Sequence, residues 1–377
     1  MPSILSIPFP VLALLLIVPL AGALTAATPW LMGDRECFAV TVPAAASRDP
    51  RLVRMKRSYS AIMAVLAFAS FVLCVASVAL AGPDALAAAV PVATFAQIGI
   101  GFALMLRCRA RVRAIKAAEG WTAAARESVS VSDVELPRPL PVRWELLHLA
   151  VIAASIALAW ALYPSVPDKI VQHVGFDGVP TDYMDKSPVT ALLPAIICAP
   201  MAAVMTVSHL AIVRSKRPVD PATPSASALA YALFARVQSI ALCISGLLIN
   251  LVLGLGMSLA FANMVSVGAM ASVIIAVVLV IVAANLWVAV AYGQNGSRVL
   301  RDAMPSDELR ADDDAHWLAG VFYVNREDPS AFVPKRFGVG WTVNLGSWRG
   351  ISFIIGFLAL TVLFVILIMC SAGAQRF

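Results

Sequence analysis

Long apolar runs, interrupted by short polar or proline- and glycine-containing stretches, dominate this chain from end to end. A segment needs about 20 mainly apolar residues to cross roughly 30 Å of hydrocarbon. Such runs extend from Ile4 to Trp30, Ser60 to Ala81, Ala85 to Leu106, Leu146 to Tyr163, Val189 to Val213, Val237 to Phe261, Val265 to Tyr292 and Ile351 to Cys370. The pattern predicts an all-α fold, a polytopic transmembrane helix bundle of about eight spans. Two connections are tight, Gly82-Pro83-Asp84 and Ala262-Asn263, and both use residues that tolerate turn dihedrals. The first run is read as a span and not a cleavable signal, because no Lys or Arg precedes Arg35.

The spans divide the chain into 1–145 (three spans with basic loops), 146–213 (two spans around a long loop), 214–292 (two spans), 293–349 (a polar module) and 350–377 (a last span and tail). Charge then orients it. Cytoplasmic loops carry the Lys/Arg excess, and alternate loops hold all of the 28 basic residues except Lys169, Lys186 and Arg376. This places both termini outside and the module inside, in a bacterial plasma membrane. Treating Val237 to Tyr292 as one crossing would spoil that division. Trp30, Trp144, Trp160, Trp287 and Trp348 fall near span ends, where an indole ring is best accommodated.

A composition of 60% hydrophobic and 13% charged residues agrees with a membrane protein. The net charge of +6 is explained by topology, so nucleic acid is not an expected partner. The partner it implies is the anionic inner leaflet. Six cysteines form neither a disulfide framework nor a zinc-type spacing. No nucleophile and base, metal cluster or cofactor motif can be assembled, so no enzymatic activity and no cofactor are expected. Gly99-x-Gly101 and Gly254-x-Gly256 lie within spans and read as helix packing. The span interiors are expected to lack ionisable groups, with Glu145, His148, His209 and Arg236 near cytoplasmic ends. Gln97, Asn250 and Asn285 remain as polar groups at depth, chiefly as helix-to-helix hydrogen-bonding groups.

Two hydrophilic segments carry candidate chemistry. The first is the external loop from Tyr163 to Pro188, which gathers Asp168, Asp177, Asp182 and Asp185 around His173. Its carboxylates and imidazole could receive a cation or cationic peptide, or the loop could be a folded cap joining two spans. A metal site is the weaker reading, since one His with scattered Asp has no second ligand at helical spacing. The pattern Pro164-x-x-Pro167-x-x-Ile170-x-x-His173, then Gly178-x-x-x-Asp182-Tyr183-x-x-Lys186, resembles the extracytoplasmic motif of a bacterial membrane-protein family of unknown function that includes the SdpI toxin-immunity protein. The stretch between His173 and Gly178 departs from the usual aromatic and asparagine. The resemblance implies recognition through His173, Asp177, Gly178, Asp182, Tyr183 and Lys186.

The second segment, Gly293 to Arg349, is expected to hold a short helix beginning at Pro305-Ser-Asp-Glu308 and an extended stretch from Phe332 to Asn344. Its aromatic residues are too many for a solvated loop. With Lys335 and Arg336 among them, it is read as a module packed on the inner membrane face, where each basic residue gains about 1 kcal/mol from anionic lipid. Asp313-Asp314, Trp317, Phe322-Tyr323, Asn325, Asp328-Pro329, Phe332-Val333, Lys335 to Gly338 and Gly340 to Asn344 are similar to a small cytoplasmic domain of unknown function often found with the first motif. Its candidate residues are Asp314, Trp317, Tyr323, Asn325, Lys335, Arg336, Gly340, Trp341 and Asn344. Two functions follow as expectations. One is immunity, sensing or regulation, with a peptide ligand or toxin outside and a regulatory protein in the cytosol. The other is a permease or exporter lined by Asn250 and Asn285.

Overall fold

A computed structural model describes residues 9–33, 35–122, 135–175, 179–217, 223–299 and 312–373. Helix α1 (Phe9–Leu31) leads through a small hairpin, β1 (Glu36–Cys37) and β2 (Val40–Thr41), into α2 (Pro50–Ala81) and α3 (Leu86–Ala118). Asp49 starts α2, its carboxylate accepting from Arg51 N at 2.7 Å, with Pro50 in the first turn where its missing N–H costs nothing. Gly82, at φ 84°, turns the chain from α2 towards α3 in a conformation that a side chain would oppose. Helix α3 carries the basic run from Arg107 to Lys116 beyond the apolar stretch.

These three helices form one bundle. Its close approaches rely on small residues: a Cβ on Gly22 would lie 2.1 Å from Ala67 Cβ. Val18, Cys74 and Leu86 pack towards one end. Phe38 and Val40 of the β1–β2 hairpin pack with Leu52, Met63 and Val112 at the other.

A second bundle contains α4 (Leu147–Leu162), α5 (Pro188–Arg214), α6 (Pro224–Leu251) and α8 (Val267–Tyr292). A π turn, Val252–Gly256, continues α6 into the short α7 (Met257–Phe261). The break after α7 falls at the expected Ala262-Asn263, where Asn263 adopts φ 57°. Ser187 and Thr190 form a reciprocal capping box at the start of α5. A last helix, α9 (Trp348–Gly373), packs beside α5. The buried face of α6 holds Ala232, Ala235, Ser239, Cys243, Ser245 and Gly246, residues small enough for helices to approach without a water-driven hydrophobic force.

Large apolar side chains point outward instead, among them Phe68, Leu80, Phe95, Val280 and Ile355. Seven helices among the described residues are long and apolar enough to cross a membrane, and Trp348–Val362 of α9 is apolar as well. The chain is therefore a multi-pass helical membrane protein, since lipid accepts exposed side chains of this kind and helices satisfy their own backbone.

Connections alternate between two ends. One end carries β3 (Lys169–Val174) and β4 (Pro180–Asp185), an antiparallel hairpin between α4 and α5. The other carries β1–β2 and the module, in which β5 (Trp317–Leu318) pairs with β6 (Phe322–Tyr323) and β7 (Phe332–Pro334) pairs with β8 (Trp341–Val343). The expected extended stretch is thus a hairpin. The short helix expected at Pro305 to Glu308 lies outside the described residues.

Candidate functional site

The β3–β4 hairpin is anchored at some positions and exposed at others. Ile170 pairs with Met184, and both are buried against Val166 and Phe261 at the end of α7. His173 stands opposite Asp182 across the ladder, next to a register irregularity, and Val171 stands opposite Tyr183. His173, Asp182 and Tyr183 are exposed, as is Asp168 at the foot. Lys169 neutralises Asp185 at 2.6 Å. Lys186, one of the expected recognition residues, is engaged within the protein. Its Nζ donates to Val166 O at 2.6 Å and stands 5.0 Å from the centre of the Tyr163 ring, so it secures the base of the hairpin. Asp177 and Gly178 lie outside the described residues.

At the other end, the module clasps both bundles. Phe337 packs on Phe38 and Tyr59 of the first bundle, with ring centres 6.2 Å from each. Arg336 is turned inward, 6% exposed, and pairs with Asp313 and Asp314 while lying over the Trp317 ring. Of the two adjacent cations expected to face lipid, only Lys335 is exposed. Asp314 also accepts from Thr41 N at 3.0 Å and from Lys116 Nζ at 2.7 Å, tying the module to β2 and α3. Arg109 donates to Ala39 O and to Trp317 O. Burial pushes the nearby Glu36 carboxyl up to about 7, although Arg336 opposes the shift. The Arg336 guanidinium is pushed down to about 10 by the same loss of water.

Contacts to the second bundle come from the far side of the module. Trp341 stacks on Phe234 at 5.4 Å and donates to Tyr231 Oη at 3.4 Å. Lys216 holds Asp328 at 2.9 Å. Burial would raise the Asp328 carboxyl, but the bonds from Lys216 and Ser330 keep it below its ordinary value. Tyr323 donates to the same carboxylate, and burial beside that anion pushes its phenol up to about 12.

Asn344 is the internal fastener. Fully buried, it donates through Nδ2 to Asn325 O and Asp328 O, both at 2.9 Å, and accepts through Oδ1 from Asn325 N and Gly346 N. Gln294, which sequence reasoning missed, clamps the β7–β8 turn: it donates to Lys335 O and Gly340 O and accepts from Gly340 N. Gly340 sits at φ 112°, so a side chain there would strain the turn. Asp314, Trp317, Tyr323, Asn325, Arg336, Gly340, Trp341 and Asn344 are therefore joined in one docked module.

Glu145, His148 and His209 lie towards span ends, as expected, and there they meet in a buried cluster between α4, α5 and α6. His209 Nδ1 lies 2.6 Å from Glu145 Oε1, and His148 Nε2 lies 3.1 Å from Glu145 Oε2. Asn250 donates from Nδ2 to His148 Nδ1 at 2.8 Å. Gly246 makes the space, since a Cβ there would come 3.0 Å from His148 Cε1. Asn285, by contrast, bonds within α8 and to Ser245, a helix-to-helix contact. No group of metal-ligating side chains suited to an ion occurs among the described residues.

Residues 150–198, from α4 through the hairpin into α5, match a domain of unknown function, DUF1648. Residues 326–351, containing β7, β8 and Asn344, match a family of unknown function, DUF5808. No curated protein and no solved structure matches the chain. Both matches fall on segments singled out by their motifs, while Asp314, Trp317, Tyr323 and Asn325 precede the second match and bond or pack against it.

Proposed function

We propose that the protein is a bacterial plasma-membrane protein of immunity, sensing or regulation that recognises a peptide or envelope signal through the β3–β4 hairpin. It crosses the membrane eight times, with both termini and the hairpin outside and the module in the cytosol. The one-sided distribution of basic residues supports this orientation. The observation that carries the recognition reading is that the hairpin is anchored through the buried Ile170 and Met184 while His173, Asp182 and Tyr183 are exposed. A fixed base lowers the ordering cost of binding, and an imidazole, a carboxylate and a phenol suit a cationic or amphipathic peptide. The resemblance around Pro164 to Lys186 points the same way.

The test substitutes His173→Ala and Asp182→Asn in the full chain. Protection or signalling is expected to disappear while membrane insertion persists, and variants that behave as wild type would reduce the hairpin to a cap. A transport reading draws on the buried polar cluster that includes Asn250. Unchanged uptake and efflux in Asn250→Ala and Asn285→Ala would remove it.

A further inference from the structure

The β5–β6 hairpin turns two pairs of side chains to opposite faces. Trp317 and Tyr323 stand opposite each other in the ladder, buried, with ring centres 5.1 Å apart. Leu318 and Phe322 form the next pair, and because side chains alternate along a strand they emerge on the other face. They are 58% and 52% exposed. A hairpin that met water on this side would carry polar residues there.

The hairpin is held at the level where the apolar run of α3 ends. At its tip, a Cβ on Gly320 would lie 3.2 Å from Arg109 Cδ and 2.8 Å from Ala39 Cβ, and Arg109 donates to Trp317 O at 3.1 Å. Arg109 follows Leu106, the last residue of that run, by three positions, which is about 4.5 Å along the helix axis. The interfacial layer outside the hydrocarbon is about 5–7 Å deep on each side of a bilayer, so the tip falls within it. Val321 packs on the cluster that contains Phe38, Met105 and Val112, and Met105 still belongs to the apolar run.

Two aromatic markers give the same level. Trp30, exposed at the end of α1, donates to Ser60 Oγ at 2.9 Å, and the adjacent Tyr59 packs on Phe38 at 5.5 Å. From the other side, Leu345 N bonds Tyr323 O at 2.8 Å, three residues before the exposed Trp348 that opens α9. Indole rings in such positions favour the headgroup region. Arg107 and Arg111, both exposed, stand on α3 within two residues of Arg109, a charge that suits anionic headgroups.

We propose that the β5–β6 hairpin is a lipid-binding element, in which Leu318 and Phe322 enter the headgroup layer of the leaflet on the module's side and continue the apolar surface of the helices. The module is then seated on three supports, the two bundles and the lipid. The element goes beyond the recognition proposed for β3–β4 and stands without it. It requires only that the helices cross a membrane, whichever end faces the cytosol.

The test reconstitutes the full wild-type chain in nanodiscs of phosphatidylethanolamine and phosphatidylglycerol, with part of the lipid carrying a diazirine at the start of an acyl chain. Photo-adducts are mapped by mass spectrometry. Leu318 and Phe322 are expected to be labelled about as well as Trp348, and roughly tenfold more than Arg326 and Glu327, which are exposed on the same module. The double substitution Leu318→Ser and Phe322→Ser should cut the hairpin's yield about fivefold and leave that at Trp348 unchanged. Labelling at Trp30 and Trp348 without labelling at Leu318 and Phe322 overturns the proposal, and leaves the pair to a protein partner or to water, whether or not the variant accumulates. Equal yield at Leu318, Phe322, Arg326 and Glu327 overturns it as well, as does a double variant labelled as strongly as wild type.

Discussion

Replacing Asn344 by Ala tests whether one side chain fastens the module. The change removes four hydrogen bonds of 2.9–3.0 Å and leaves two carbonyls and two amide N–H groups without that partner. At about 0.5–1.5 kcal/mol each, the loss approaches 4 kcal/mol, and water entering the gap would return part of it. A net loss of ~3 kcal/mol corresponds to a roughly hundredfold increase in the open population, since ~1.4 kcal/mol is a factor of ten. Hydrogen exchange of the full chain reads this directly at Asn325 and at Leu345, whose amide bonds Tyr323 O at 2.8 Å. Asn344→Asp should be at least as disruptive at neutral pH, because an oxygen then faces both carbonyls, and it should recover partly when the carboxyl is protonated. Exchange within threefold of wild type in both variants would refute the reasoning.

Three further expectations follow from the same contacts. A Cβ on Gly254 would lie 2.2 Å from Ser155 Oγ, so Gly254→Ala should lower stability by about 1–3 kcal/mol; a thermal-denaturation cycle should show Ser155→Ala partly rescuing it, and simple additivity would count against that contact. Glu36, raised from about 4.5 to about 7, keeps its proton in the folded hairpin after an unfolded chain would lose it; the β1–β2 contribution to stability should therefore fall as pH rises through that window and stay low above it. Exchange at Val42, corrected for intrinsic rate, should show this slope in wild type and lose it in Glu36→Gln. Lys186→Met removes a charge-assisted bond and a cation–π contact worth about 1–2 kcal/mol together, so exchange in the β3–β4 hairpin should rise about tenfold, and a rigid hairpin in the variant would show that Lys186 does not secure it.

The helices were legible because lipid imposes long apolar runs, and the turn at Asn263 was legible because few other residues adopt its φ without strain. The extended character of Phe332 to Asn344 was also readable, from aromatic and β-branched residues among glycines. What the chain concealed were choices between partners. Lys335 and Arg336 look alike in sequence, yet the β7–β8 connection turns Arg336 onto Asp313 and Asp314 and leaves Lys335 outside. The neighbouring Asp312-Asp-Asp run was the available clue. Glu145 and His209 are separated by 64 residues, a contact made by helix packing and not by spacing. The three-residue interval from Glu145 to His148 could have signalled half of that cluster. Lys186 looked like a ligand-facing cation because its backbone lies in the loop, but its long stem reaches back to Val166.

The clasp also bears on biosynthesis. Segments through α8 can enter the membrane as they leave the ribosome, whereas Arg336, Phe337 and Trp341 emerge afterwards and only then reach both bundles. Closure of the module is consequently a late step that joins two already inserted bodies at once. A misplaced turn in either would leave Asp314 or Trp341 without its seat.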